Sequence, residues 1–391
     1  MRTGRRRKLC GTLAAAALFL PALGGTAAAQ ESGADIAPGL MLSGYNRHPV
    51  GVMASLEGGA FAARANDSSS LWYNPAGQAT NPELVFSGSA SVFEWTWTTR
   101  DGEGDWIDDG SYNSVRAAAG GTSAALASKE WYWGGLLAAP RSWRQASNTE
   151  TVVDTPDGAR RVAKVDSSEI ETYFVGLGLG WKRDSAWRFG ASAGLLASWF
   201  QADQSATARE ITGGGSQTAV AVLRTSGVSY DLRLNAGLQH DIGKRLTVGL
   251  TVRSPGLHIW DTADLTYDVV RTGADGQAQV SFRDTEADTE YRYPWEGTLG
   301  VAWHGDAWEL EGDLTAYGGI SEYTFFGSDQ LVRAAGGGAV AAAPFRDVRI
   351  SAEPVVNIAV GGRVQLSSNW RLHGGLYTDF SPAPAEGKVF D

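Results

Sequence analysis

Ser192 lies in GASAG (190–194), which has the G-x-S-x-G spacing of a nucleophile elbow, and the chemistry it suggests is acyl transfer. That chemistry needs a strand, a sharp turn and then a helix, so that the hydroxyl stands proud of a sheet. Here the motif sits in the middle of a strand-like run between Trp187 and Trp199, with Ser192 on the polar face. It reads instead as small residues making room for something packed against them. A second group, Asp101, Glu103 and Asp105 in DGEGDWIDDG, has the first three ligand positions of a calcium loop but lacks its Gly at position 6 and Glu at position 12. A solvated acidic loop tip is the expectation. The five histidines, His48, His240, His258, His304 and His373, show neither i, i+4 nor H-E-x-x-H spacing, and no phosphate-cradling glycine loop followed by Lys and Ser/Thr occurs. The expectation is a chain that is not an enzyme and uses no metal or cofactor.

The elements that carry these residues are strands. In YDLRLNAGLQH, Tyr230, Leu232, Leu234, Ala236 and Leu238 alternate with Asp231, Arg233, Asn235 and Gln239. A period of two gives a strand with one greasy and one polar face. The pattern returns through DIGK into Leu246, Val248, Leu250 and Val252, and recurs around HGDA and SSN. A soluble sandwich would also alternate. Three features favour a transmembrane barrel. Short turns near 181–187, 241–245, 303–307 and 367–370 alternate with long polar connections near 145–168, 201–226, 262–291 and 321–352, the asymmetry of outer-membrane barrels. Trp181, Trp187, Trp303, Trp308 and Trp370 sit beside the short turns on the apolar face, as an interfacial aromatic girdle would. The polar face is charged, with Glu309, Glu311 and Asp313 on one strand and Arg233, Arg253 and Arg363 on others; these residues could form a salt-bridged ladder or line a wet pore.

Residues 1–29 combine the basic head RTGRRRKLC with an apolar middle, and Ala27 and Ala29 form an A-x-A site, so they read as a secretory signal peptide. The apolar stretch is shorter than the ~20 residues of a spanning helix. Removing its five basic residues takes the net charge from −10 to −15 and removes the sole cysteine. Such an acidic chain is a poor partner for nucleic acid, and it has neither disulfides nor thiolate metal sites to hold it. The 50 Gly and 15 Trp among 391 residues are an unusual pairing for a soluble domain, and a barrel filled by backbone and ringed by aromatics accounts for both.

About eleven strands are legible from residue 84 onward. That odd number leaves the end EGKVFD on the outer side, and the expectation is a C-terminally incomplete barrel of residues 84–391, or an extra hairpin outside the membrane near 262–291. Residues 30–83 contain Met53, Leu56, Phe61, Leu71 and Trp72, too apolar a set to remain in water, and the economical place for them is inside the barrel as a plug. GGAFAARANDSSSLWYNPAGQA (58–79) resembles the hatch stretch of the FadL/TodX family of outer-membrane transporters for long-chain fatty acids and aromatic hydrocarbons, and VGLTVRSP (248–255), YPWEGTLGVAW (293–303) and GGLYTDFSPAP (374–384) resemble its strand ends.

The resemblance implies an all-β fold, an antiparallel transmembrane β-barrel of fourteen strands with an N-terminal hatch plugging the lumen. It also implies passive uptake of a hydrophobic ligand through a hatch-lined pocket and out through a kinked third strand. Asn74, Pro75, Ala76 and Gly77 match its hatch motif residue by residue, and Phe61, Leu71 and Trp72 are the neighbouring hatch candidates. Gly134, Gly135 and Pro140 in WYWGGLLAAPRSW, the third strand, are the lateral-opening candidates, because glycine pairs and proline mark bulges and lost ladder bonds. The expected setting is the bacterial outer membrane. The expected partners are an apolar small molecule, membrane lipid and lipopolysaccharide, and the barrel-assembly machinery, with the chain a monomer. The rival readings are a polar-solute porin and a non-transport barrel serving as a scaffold for secreted proteins.

Overall fold

The computed structural model describes residues 45, 49–80, 85–91, 94–99, 107–112, 116–124, 130–155, 158–212, 215–273, 276–336, 339–344 and 347–382. The expected signal peptide, the first part of the expected hatch, Asp101, Glu103 and Asp105, and the end EGKVFD lie outside the described residues. Three short helical segments, α1 (Val52–Leu56), α2 (Ser70–Tyr73) and a 3₁₀ turn (Pro75–Thr80), precede nineteen strands. These are β1 (Val85–Ser91), β2 (Glu94–Thr99), β3 (Ile107–Tyr112), β4 (Arg116–Ala124), β5 (Trp131–Thr155), β6 (Gly158–Lys182), β7 (Trp187–Thr212), β8 (Gly215–Ile242), β9 (Leu246–Arg253) and β10 (Leu257–Gly273). There follow β11 (Gly276–Thr289), β12 (Glu296–His304), β13 (Trp308–Tyr317), β14 (Ile320–Gly327), β15 (Leu331–Gly336), β16 (Ala339–Pro344), β17 (Val348–Ala352), β18 (Val355–Gln365) and β19 (Arg371–Tyr377).

The wall runs β1-β4-β5-β6-β7-β8-β9-β12-β13-β18-β19, every neighbour antiparallel. These eleven strands are the ones the alternation picks out. Among the described residues no ladder joins β1 to β19. The other six strands of the 17-stranded sheet, β10, β11 and β14–β17, build away from the short-turn end, and β2 pairs with β3 in a separate two-stranded sheet. The connections expected to be long polar loops are mostly ladder. β5 and β6 stay paired out to Thr155 and Gly158, and β7 and β8 out to Thr212 and Gly215. Strands of 25 to 28 residues exceed the ~10 that cross a bilayer, so more than half of each stands outside it. Thr, Val and Ala on both faces let the pairing continue after the need for a greasy outer face has ended. The β10–β11 hairpin occupies 257–289, the region where the sequence admitted an extra hairpin.

The polarity of the wall is inverted relative to a soluble protein. On β13, Trp308, Leu310 and Leu314 are 44–50% exposed, whereas Glu311 and Asp313 between them are buried; on β8 Leu234 is exposed and Asp231, Arg233 and Asn235 are buried. Exposing rows of Leu and Val while hiding carboxylates is stable only where the outer solvent is hydrocarbon. Rings mark both rims of this belt. At the short-turn end Trp131 stacks on Trp181 (6.0 Å) and Trp187 on His240 (3.9 Å), and at the other Trp260 stacks on Tyr230 (5.5 Å). Trp187 and Trp199 share the outer face of β7 twelve residues apart, about 40 Å along the strand at ~3.4 Å per residue and ~30 Å in height at a tilt of ~40°, which matches a hydrocarbon core.

Candidate functional site

Inside the wall, residues 49–80 form a compact insert whose shape is written into its own turns. Gly58 and Gly59 have φ of 65° and 78°, the left-handed values that reverse the chain after α1. Asp67 Oδ1 accepts hydrogen bonds from the Ser69 amide (2.8 Å) and hydroxyl (2.6 Å) and so starts α2. Asn74 Oδ1 accepts the Ala76 amide (3.1 Å), the Gly77 amide donates to the Asn74 carbonyl (2.9 Å), and Pro75 opens the 3₁₀ turn where no amide is required.

The wall supplies what the insert lacks. An α-helix as short as α2 leaves its carbonyls without intrahelical partners. The Leu71 carbonyl accepts from Asn235 Nδ2 (3.0 Å) and Ser192 Oγ (3.1 Å), the Trp72 carbonyl from Arg253, and the Tyr73 carbonyl from Thr251 Oγ1 (2.8 Å). Ser192 is thus a hydrogen-bond donor to the hatch. Unpaired amides are met by β13: Asp313 Oδ2 accepts from Phe61 (2.9 Å) and Ala62 (3.0 Å), and Glu311 Oε1 accepts from Ala63 (2.5 Å). The Arg64 guanidinium donates to Glu311 (2.7 Å) and Glu57 (2.5 Å), and Glu57 also meets His373 on β19 (2.7 Å). Arg363 pairs with Glu309 (2.8 Å), completing a charged ladder between insert and wall.

Close approach of insert to wall is permitted by glycine. A Cβ on Gly190 would lie 2.2 Å from the Pro75 carbonyl carbon, on Gly249 2.4 Å from the Ala62 oxygen, and on Gly361 1.9 Å from the Glu57 oxygen. Gly178, Gly180, Gly237, Gly300 and Gly375 meet the insert in the same way, so a ring of glycines on β6, β7, β8, β9, β12, β18 and β19 forms its seat. This seat takes eight of the 50 glycines, and of them only Gly190, in the small-residue run GASAG, was marked by a local motif.

Above the seat the lumen is aromatic. Trp72 packs edge-on against Phe174 (5.2 Å) under the Arg253 guanidinium (4.7 Å), and the apolar cluster continues through Leu196 and Phe200 to Phe325 and Phe326, which reach in from β14 (ring centres 5.2 and 5.0 Å from Phe200). Two adjoining cavities of about 40 and 20 Å³ share Tyr45, Trp72, Pro140 and Glu296 in their linings; Tyr293, Tyr317, Arg141, Arg233 and Thr172 complete the smaller one. Tyr45 stacks on Tyr317 at 4.7 Å. Glu296 accepts from Arg253 (2.6 Å) and Arg233 (3.2 Å), which keeps both buried guanidinia paired. Both cavities are far below the ~150 Å³ that takes up benzene, so neither holds an aromatic ring without movement of its lining. At the short-turn end lies a polar hollow of about 440 Å³ lined by Arg188, Lys244, His304, Glu309 and Arg363 among others.

The structure divides the residues singled out in the sequence. Trp72 borders both small cavities. Phe61 packs edge-on against Tyr73 (5.8 Å), Leu71 lies against Gly178, and Asn74, Pro75, Ala76 and Gly77 lie buried on the seat, Asn74 Nδ2 tying the Ala62 and Leu238 carbonyls together (2.8 and 2.9 Å). Gly134 and Gly135 pair in unbroken register with β4 and β6. Pro140 is different: the β5–β6 register shifts between Ala138 and Arg141, the β4–β5 ladder ends at Ala138, and Pro140 itself lines both cavities. Sequence reasoning missed Tyr45, Tyr293, Tyr317 and Glu296. Glu296 had a signal, since it shares the inward parity opposite Arg253; the tyrosines did not, because they come from three separate segments.

No protein-family model matches the chain, and no curated protein matches it. Solved structures do. The Pseudomonas putida toluene transporter TodX matches over 86% of this chain and 83% of its own, with 15% identity and a TM-score of 0.54. A Pseudomonas aeruginosa FadL homologue matches over 88% and 82% (13% identity, TM-score 0.51), and the Ralstonia pickettii toluene transporter TbuX over 85% and 87% (13%, 0.51). The chain has the FadL/TodX fold. In the wall order β5, with its shift at Pro140, is the third strand.

Proposed function

We propose that the chain is an outer-membrane channel for passive uptake of hydrophobic small molecules, in the class of monoaromatic hydrocarbons or long-chain fatty acids. The observation that carries this reading is the pairing of an inside-out wall with an interior that residues 49–80 occupy and that is aromatic beside them, around Trp72 and Tyr45. A ligand moves Tyr45 off Tyr317, occupies the space over Trp72, and leaves where the β5 ladder breaks at Pro140. The driving step is transfer of apolar surface out of water, about 2.5 kcal/mol per ~100 Å², or close to a hundredfold in partitioning. The solved structures of similar fold are described as toluene transporters and a FadL homologue, which supports the ligand class. A polar-solute porin would need an open wet lumen, and here the hatch and its ladder fill it. The test is flux into proteoliposomes of a fluorescent fatty acid, of toluene and of a small sugar. Fast apolar flux with slow sugar flux is expected; fast sugar flux would mean a porin, and no flux of any kind a barrel that does not transport.

A further inference from the structure

The wall contains a second discontinuity, on the side away from β5. β9 and β10 follow one another along the same neighbour, β8, interrupted at Ser254, Pro255 and Gly256. On the next strand in the wall, β11 and β12 are separated by 290–295, which includes Pro294. The β9–β12 ladder ends at Arg253 opposite Glu296, and the β10–β11 ladder begins at Ala263 opposite Ala287. Between these limits, among the described residues, no ladder joins 254–262 to 288–295. Two causes are visible. Proline on each strand removes an amide donor. The end of β11 also leaves the wall, its Asp288 and Thr289 pairing with Gly327 and Phe326 of β14.

Few contacts close this seam. The Gly256 amide donates to the Tyr293 carbonyl (3.3 Å), and the Thr289 amide donates to Asp261 Oδ1 (3.1 Å). Arg233, reaching from β8, spans both sides: it donates to the Ser254 carbonyl (3.3 Å), the Pro294 carbonyl (3.4 Å) and Glu296 (3.2 Å), and its guanidinium lies 5.4 Å from the centre of the Tyr293 ring. Tyr293 and Arg233 also line the smaller cavity. Outside, the rim is greasy, with Leu257, Ile259, Trp260 and Trp295 each about half exposed. Trp260 is paired with Tyr230, two residues along β8 from the partner of Trp199, which puts the seam at the outer aromatic girdle. A lipid-exposed gap in a ladder leaves backbone groups without partners in a medium that offers none, unless it is covered or functional.

We propose that this seam is a second lateral portal, joining the cavity behind Tyr293 to the membrane at the outer girdle and passing the same apolar ligands, with Arg233 as its clasp. This rests on the proposed uptake function for what passes, but the opening itself can be tested separately. The described chain contains no cysteine, so Asp261→Cys with Thr289→Cys places a crosslinkable pair across the seam. The variant in proteoliposomes, with its thiols either free or joined by a short bis-thiosulfonate, is exposed to a diazirine-bearing alkane dissolved in the lipid, illuminated, and mapped by mass spectrometry. With free thiols, label is expected on the rim residues Trp260 and Trp295 and also on Tyr293 within; with joined thiols the rim label stays and the Tyr293 label is lost. Equal Tyr293 labelling in both states, or none with free thiols, would overturn the portal. Flux of a fluorescent fatty acid in the same vesicles should fall on crosslinking and recover on reduction. Seam-dependent labelling without any flux would leave the portal standing and remove the uptake reading.

Discussion

The two halves of the lumen solve opposite problems with the same wall strands. Toward the short turns, the hatch is held by charge and by absence of side chain: Glu311 and Asp313 accept its amides, Arg64 is buried among carboxylates, and glycines on seven strands let backbone meet backbone. Toward the long hairpins, the rings of Trp72, Phe174, Phe200, Tyr293 and Phe325 gather beside one buried ionic cluster, Arg233–Glu296–Arg253, and ladder pairing is interrupted at Pro140 and between 254–262 and 288–295. Hydrogen bonds are directional, and buried charges are costly to separate, so the first half can seal. Ring contacts are non-directional and tolerate replacement by another apolar surface, so the second half can yield to a ligand.

The comparison can be broken from its polar side with the largest effects. Deleting residues 31–80 should turn a sealed barrel into an open one, read as a large rise in sugar leak from proteoliposomes; unchanged leak would show that the hatch does not seal. Glu311→Leu leaves Arg64 buried with fewer partners and the Ala63 amide without an acceptor, a loss of about 3–5 kcal/mol by the usual cost of breaking a buried pair. It should expose 49–80 to protease in the folded barrel. Gly190→Val forces side-chain carbon into the Pro75 backbone, and overpacking of that kind costs about 1–3 kcal/mol, more where backbone must shift. The expected readout is a lower thermal midpoint with a modest sugar leak. From the apolar side, Pro140→Val should straighten the third wall strand and slow fatty-acid flux while leaving the sugar barrier intact. The smallest effect is expected for Gly135→Val: its added carbon comes no nearer than 3.4 Å to Leu177 and 3.9 Å to the Gly176 oxygen in an unbroken ladder, so flux should stay near normal.

The wall was legible in the sequence because alternation is a local signal: one strand such as β8 shows its two faces without reference to any other residue. The hatch motif was legible as a turn, since Asn74 Oδ1 and the Asn74 carbonyl accept the Ala76 and Gly77 amides within four residues. The seat was legible only at GASAG, where Gly190 does make room for Pro75, and the cavity was not legible at all. Gly249 and Gly361 are ordinary strand glycines until the insert is placed against them, and Tyr45, Tyr293 and Tyr317 become one lining only through ladders far apart in the chain. The outer hairpins were misjudged for a related reason: outside the membrane their inner face is lined by small residues such as Ala206, Ala208, Ala219 and Ala221, which give a weaker apolar contrast than the Leu and Val by which the membrane strands are recognised.

The account rests on sealing and passage belonging to different halves, and the direct test measures both in one preparation of proteoliposomes. Sugar leak and fatty-acid flux are compared for the wild type, Glu311→Leu and Trp72→Ala. The account predicts that Glu311→Leu raises sugar leak with fatty-acid flux maintained, and that Trp72→Ala changes fatty-acid flux with the sugar barrier maintained. If the two readouts rise and fall together in both variants, the lumen is a single pore and the division is wrong.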